Sequence, residues 1–261
     1  MTVIAPAEQA PSSAPLISCL CVTHDRVPML RNAIICFLAQ THLARELVIL
    51  HEDGDRATRE FVDAMAHPMI RRHEVPAYPH IRLGSKRNLM VKASLGCYVA
   101  TWDDDDWHAP TRLADQLNVI VQSAARACVL QHVVVHDANT GRSWLSQRRS
   151  WDQTVLAESA IMPPYADLDV GGDFPCVNQL AAQGHLTALA SPHLYIYVYH
   201  GGNVGSASHF NDNVFARSTP LTKEASQRIA QLLATPQSEP PLTLAEVLVS
   251  RAGTGTNRIK P

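Results

Sequence analysis

An α/β fold with a mostly parallel central sheet flanked by helices is the class that this 261-residue sequence predicts. Three observations carry that expectation. Apolar, β-favouring runs alternate with stretches of helical periodicity through the first half of the chain. The runs end in acidic loops, the place where α/β sheets bind ligands. The apolar fraction of 46% supplies enough side chains for a substantial core.

The elements follow in order. Leu16 to Thr23 reads as a central strand and Thr23-His24-Asp25-Arg26 as the loop at its end. Pro28 suits a helix first turn, with Leu30, Ile34, Phe37 and Leu38 as its apolar stripe. Glu46 to His51 is a second strand closed by Glu52-Asp53-Gly54-Asp55, followed by a helix over 55–66 and a short strand over 69–75. A loop over 76–82 leads to a helix opened by Gly84-Ser85-Lys86-Arg87-Asn88. Two cations at a helix start oppose the macrodipole, so an anion such as phosphate is expected there.

Tyr98 to Trp107 is the central feature: an apolar strand running into Asp103-Asp104-Asp105-Asp106. Adjacent carboxylates repel, and a divalent cation relieves them. Continued strand geometry would put Asp103 and Asp105 on one face and Asp104 and Asp106 on the other. Such an oxygen pair suits Mg2+ or Mn2+, which complete their shells with water and phosphate. An acidic turn capping the next helix is the plain structural alternative.

Further on, 110–125 is an amphipathic helix, 128–136 a strand, and Asn139-Thr140-Gly141 a turn into a hairpin strand over 142–147. Residues 151–173 resist assignment; a helix is expected from about Asp173 to Gly184 and a strand from Leu194 to His200. Helical patterns over 222–233 and 243–250 form a tail, and residues 1–15 a flexible leader. Net charge is −2, which gives no reason to expect nucleic acid as a partner. Six scattered cysteines without zinc-site spacing, no signal-peptide pattern and no apolar run of membrane-spanning length point to a reduced, cytoplasmic protein without a transmembrane segment.

Five motifs in one order, Cys21-Val22-Thr23-His24-Asp25-Arg26, Phe37-Leu38-Ala39-Gln40-Thr41, Glu52-Asp53-Gly54, Lys86-Arg87-Asn88 and Trp102 to Trp107, resemble family 2 glycosyltransferases with the GT-A fold. The likeness is strong over 16–116 and weaker over 170–210. It implies a catalytic domain over 16–218, with a nucleotide-binding half to about 108 and an acceptor half beyond it; the helical, partly disordered tail over 219–261 does not share the likeness. It implies metal-dependent transfer of a sugar from a nucleoside-diphosphate sugar, UDP being commonest, to an acceptor that the sequence does not identify, with inversion. Thr23, His24, Asp25, Arg26 and Asp53 would hold the nucleoside, and Lys86 and Arg87 the base or diphosphate. Asp103 and Asp105 match the DxD acids that meet ribose and metal; Asp104 and Asp106 complete the donor set, and His200 would join the Mn2+ or Mg2+ shell.

Gly172-Asp173-Phe174 matches the motif whose Asp is the general base of inverting members, which makes Asp173 the catalytic candidate. Gly172 stands where a Glu is expected, so Asp169 and Asp167 remain alternatives; Val22 and His24 likewise replace a usual Pro and Tyr. A sugar nucleotidyltransferase would want a glycine-rich loop after the first strand, which Thr23 to Arg26 lacks. A binding module without turnover has the Gly172 departure as its only support. Acceptor contacts are expected between Ser143 and Tyr165, where Trp144, Trp151 and Tyr165 either stack on a sugar or pack in the core.

Overall fold

The computed structural model describes residues 14–235. Its elements run β1 (Ile17–Val22), α1 (Val27–Leu38), β2 (Arg45–Glu52), α2 (Arg56–Met65), β3 (Ile70–Val75), α3 (Leu83–Ala93), β4 (Tyr98–Thr101), β5 (Trp107–His108), α4 (Arg112–Ser123), β6 (Ala127–Leu130), β7 (Val134–Asp137), β8 (Arg142–Leu145), β9 (Trp151–Glu158), α5 (Asp173–Ala182), β10 (Leu186–Leu189), β11 (Tyr195–Tyr199), α6 (Ala207–His209), β12 (Thr219–Pro220) and α7 (Lys223–Ala234).

Seven strands form the main sheet in the order β10-β6-β9-β4-β1-β2-β3. β1 pairs in parallel with β2 and β4, and β2 with β3, while β9 runs antiparallel to both β4 and β6. The sheet is thus mostly parallel, as expected, with one reversed strand. β1 and β2 are buried on both faces, which explains their continuous apolar runs. A second sheet, β12-β8-β7-β11-β5, leans on its end and receives the chain just after the acids.

The expected strand over 128–136 is in fact two strands in different sheets. Gln131, His132 and Val133 carry the chain across, and their polar pair interrupts the run where it leaves the first sheet. The unassigned stretch over 151–158 is β9, whose Thr154 hydroxyl donates to the Trp151 carbonyl and accepts from the Leu130 N–H at an irregularity of the β6–β9 ladder. Trp144, Trp151 and Tyr165 are all buried, so each belongs to the core. Residues 219–234 are built into the domain: β12 pairs with β8, and α7 places Ala225 and Ile229 in the main hydrophobic cluster. The leader up to residue 13 and the pattern over 243–250 lie outside the described residues. Among the described residues no helix is long and apolar enough to cross a membrane, and the six cysteines are free.

Two buried charged groups hold the strands that carry the site. Arg112 is fully buried, bonding the Thr101 carbonyl at 3.1 Å, Gln116 Oε1 at 3.1 Å and His108 Nδ1 at 2.6 Å, with the Trp102 and Tyr195 rings each 5.3 Å from its guanidinium. Burial, then the Arg112 charge, holds His108 well below the usual histidine range, so its Nδ1 is free to accept.

Glu46 on β2 ties three elements together. It accepts from Ser18 Oγ at 2.6 Å, Arg71 Nε at 2.8 Å and the Leu95 N–H at 2.7 Å. Burial opposes its ionisation, but these donors outweigh it and hold its carboxyl below the usual range. Folded Glu46 therefore binds a proton less readily than unfolded Glu46. Its stabilising contribution is full above the ordinary carboxylate range and lost as pH falls through the depressed folded value. Glu46→Gln is expected to lower the unfolding free energy by about 2 kcal/mol at neutral pH. Urea titrations across acidic pH check this: the gap between wild type and variant must narrow as the solution is acidified.

Candidate active site

Four acids follow β4, but β4 ends at Thr101 and the chain turns at once, so strand alternation does not continue through them. The expected two-by-two division is replaced by three against one. Asp103, Asp104 and Asp105 line a cavity of about 470 Å³ at the carboxyl ends of β1 and β4. Asp106 turns inward, is 4% exposed, bonds the Tyr195 hydroxyl and accepts the Val198 N–H at 2.8 Å. It is not on the cavity wall; burial, then Asp105, keeps it well above the carboxylate range.

Each cavity acid has its own cation or hydroxyl. Arg87 Nη2 reaches Asp103 Oδ1 at 2.7 Å, and its Nη1 bonds Asp173 Oδ1. Thr23 Oγ1 donates to Asp104 Oδ2 at 2.6 Å. Arg26 sits 3.5 Å from Asp104 and 3.3 Å from Asp105 and donates to the Gly202 carbonyl at 2.8 Å. His200 Nε2 and Asn203 Nδ2 lie 3.1 and 3.4 Å from Asp105 Oδ2. Burial still pushes Asp103 up to about 6, against Arg87, and Asp104 up to about 7, reinforced by Asp105. Burial works against the Arg87 charge, but Asp173 and Asp103 keep it well above the usual range. Cationic charge is what this cluster favours.

The start of α3 is met from within the chain. The chain's own loop over 166–169 meets the first N–H groups of the helix: the Leu83 N–H donates to Asp169 Oδ1 at 3.2 Å and the Gly84 N–H to the Leu168 carbonyl at 3.0 Å. Asp167 accepts from Ser85 Oγ at 2.7 Å, and His80 Nε2 lies 3.1 Å from Asp169. Lys86 Nζ bonds Glu52 Oε1 at 2.7 Å. A Cβ on Gly84 would lie 1.8 Å from the Ala166 carbonyl oxygen, so only glycine permits this approach.

Of the donor candidates, Thr23, His24, Arg26, Lys86, Arg87 and Asp103 to Asp105 line the cavity. Asp25 and Asp53 lie outside its walls: the Asp25 N–H donates to Asp55 at 2.8 Å with φ at 50°, and Asp53 accepts from the Ala77 N–H at 3.0 Å. Asp173 and Asp169 line the far wall, and Asp167 does not. Arg149, Asp152, Gln153, Phe174, Tyr197 and His209 also form that wall and escaped the sequence reading. Recognising β9 would have placed Asp152 and Gln153, with Arg149 just before it; Phe174 belonged to a motif already singled out.

Among the described residues no three His, Cys, Asp or Glu side chains form a closed cation cage. Asp105 and His200 nonetheless make an open two-ligand pair, one carboxylate oxygen beside one imidazole nitrogen, beside a cavity where ligand oxygens and water have room to complete a shell. The residues fit a divalent ion in that open form.

A sheet with one reversed strand, carrying an acid-lined cavity that bridges its two halves, defines a GT-A glycosyltransferase fold. The description "Glycosyl transferase family 2" matches residues 18–171, more than half of the chain, and the chain belongs to that family. It is a glycosyltransferase. Among solved structures, S. aureus TarS 1–349 in complex with UDP-GlcNAc superposes with a TM-score of 0.60 at 13% identity, covering 89% of this chain and 69% of that one. The mannosyltransferase PcManGT from Pyrobaculum calidifontis, in complex with GDP-Man and Mn2+, gives 0.57 at 15% identity, covering 94% and 77%. No curated protein is matched by the sequence.

The inward turn of Asp106 separates its role from those of its neighbours. Tyr195→Phe removes its hydroxyl partner and is expected to cost about 1–3 kcal/mol of stability through a buried, under-satisfied carboxyl group. Ligand affinity in the cavity should stay within a factor of two. Urea denaturation beside calorimetric titration of a nucleotide checks both halves.

Proposed function

We propose that the protein transfers a sugar from a nucleoside-diphosphate sugar to an acceptor hydroxyl, with inversion and with the help of Mn2+ or Mg2+. The observation that carries this reading is Arg87, one guanidinium bonded to the DxD acid Asp103 and to Asp173, so that donor and acceptor acids share one cavity. The two structural relatives were described with UDP-GlcNAc and with GDP-Man, which supports the donor class and leaves UDP as the first nucleotide to test.

The nucleoside would lie along Thr23 to Arg26, with Lys86 and Arg87 near its diphosphate. Asp105 and His200 would hold the cation, with Asp103 close by on Arg87. When bound, the ion supplies positive charge that stabilises the departing diphosphate. Asp173 takes the proton of the acceptor hydroxyl as that oxygen bonds to the anomeric carbon, and the bond from that carbon to the diphosphate oxygen breaks. A single displacement of this kind inverts the anomeric centre. Lys86 and Arg87 add preorganised positive charge where the leaving group gathers its negative charge.

Calorimetric titration of UDP, GDP and dTDP into the metal-stripped protein, with and without Mn2+, tests the donor site. One nucleotide is expected to bind in a metal-dependent way, and Asp105→Ala to weaken it on the order of 100-fold. Absence of binding by all three under both conditions would remove the nucleotide-sugar reading. Once a donor is known, Asp173→Asn is expected to reduce turnover by about 10²–10⁴-fold while donor affinity is kept; unchanged turnover would exclude Asp173 as the base and turn attention to Asp169.

A further inference from the structure

The charged groups on the donor side of the cavity are matched to one another, and the far wall is different. Near the start of β9 the Asp152 carboxylate bonds only its own backbone N–H and reaches no other described side chain within ion-pair distance, although it is partly buried on the cavity wall. Burial, then the Asp173 charge, raises its carboxyl above the usual range. Three residues earlier, Arg149 also lines the cavity, with its guanidinium 3.9 Å above the Trp151 ring and its Nε enclosed without a hydrogen-bond partner. The Gln153 amide likewise bonds no described side chain or backbone group. A buried donor without a partner, as at Arg149 Nε, is rare in folded proteins, and with Asp152 and Gln153 open to the same cavity it points to a ligand.

The chemistry of that ligand follows from the mixture. An unpaired guanidinium alone would suit an anion, but Asp152 and Asp173 stand on the same wall and would repel one. An alkyl chain would bury both charges without partners, at high cost. Vicinal hydroxyl groups satisfy both at once, since each donates to a carboxylate and accepts from a guanidinium. Above this polar floor Phe174 is 61% exposed on the cavity wall, with Val170 and Val204 beside the same opening. An exposed aromatic ring offers a flat apolar surface to the C–H face of a sugar. The stacking of Arg149 on Trp151 orients its planar fork in advance, which a lysine at that position would not achieve.

We propose that Asp152, Arg149 and Phe174 form an acceptor subsite that binds a pyranose ring, so that the acceptor of this glycosyltransferase is itself a carbohydrate. The assignment rests on the reading of the donor cavity given above. Asp152 and Arg149 hold hydroxyl groups next to the one that reacts, and Phe174 holds the ring face, which leaves Asp173 for the reacting hydroxyl.

The test uses the full chain saturated with UDP and Mn2+. Saturation-transfer NMR is recorded with methyl pyranosides of glucose, galactose, mannose and N-acetylglucosamine, and with a serine-containing peptide and an alkyl alcohol as competitors for the same role. At least one pyranoside is expected to receive saturation on its ring C–H protons. Asp152→Asn and Phe174→Ala should each weaken that binding by roughly tenfold, the loss of one good contact, while UDP affinity stays within twofold. Phe174 is largely exposed, so its truncation leaves the core intact and keeps the test independent of folding. Binding of the peptide or the alcohol alone, binding of none of the pyranosides while UDP binds, or pyranoside binding unchanged in the double variant would each overturn the proposal. Failure of UDP to bind in the same titration would instead overturn the donor-site reading, and this assignment with it.

Discussion

The site depends on a buried guanidinium with a carboxylate on either side. Arg87 is 5% exposed, and an isolated charge at that depth would cost several kcal/mol. Asp103 from the turn after β4 and Asp173 from the first turn of α5 repay that cost together, and in doing so they join two parts of the chain far apart in sequence. The planar fork matters because one nitrogen serves each acid, and a lysine would present a single point of charge to both. The Tyr165 ring lies 5.6 Å from the same guanidinium, so the residue that precedes the loop over 166–169 is part of its packing. That loop closes the α3 terminus through Gly84, and α3 in turn carries Arg87. The arrangement is circular: each part is held by what it helps to hold.

Arg112 plays the corresponding part on the other side of the acids. It fixes the Thr101 carbonyl at the end of β4 and packs against Trp102 and Tyr195, whose hydroxyl binds Asp106. His108 stacks on Trp102 at 3.8 Å and accepts from Arg112, which sets the path of the chain after the turn. Four consecutive carboxylates can occupy so short a turn because their charges are dealt to different partners. Asp103 goes to Arg87, Asp104 to Thr23 and Arg26, Asp105 to Arg26 and His200, and Asp106 to the interior.

These divisions explain what a reader of the sequence could and could not see. β1, β2 and β4 were legible because burial on both faces writes continuous apolar runs, and the acids after β4 were legible as a site because like charges need a shared counter-charge. β9 was not, since Trp151 is followed by Asp152, Gln153 and Thr154, polar residues that break the apolar run expected of a buried strand. The carboxylates that meet Leu83 and Ser85 at the start of α3, Asp169 and Asp167, were hidden for a different reason: they lie more than eighty residues away along the chain. Asp106 shows the same limit. Its sequence neighbours suggested a cavity position, and only tertiary packing turned it inward.

The two walls of the cavity differ in how their polar groups are satisfied, and that difference is itself informative. On one wall, repulsion among Asp103, Asp104 and Asp105 would destabilise the fold unless cations were near, so Arg26 and Arg87 serve the folded state directly. Selection for a stable apo protein is enough to explain part of that wall. On the far wall, Arg149 and Asp152 attract one another only through space, without a hydrogen bond between them, and the Arg149 Nε is left without a partner. Departures from local satisfaction of this kind are expected where a protein must contact something other than itself. The wall formed by Arg26, Arg87 and the three acids is thus accounted for by the fold itself, whereas the opposite wall, drawn from β9, the residues before it and the start of α5, keeps polar groups that the fold does not pair.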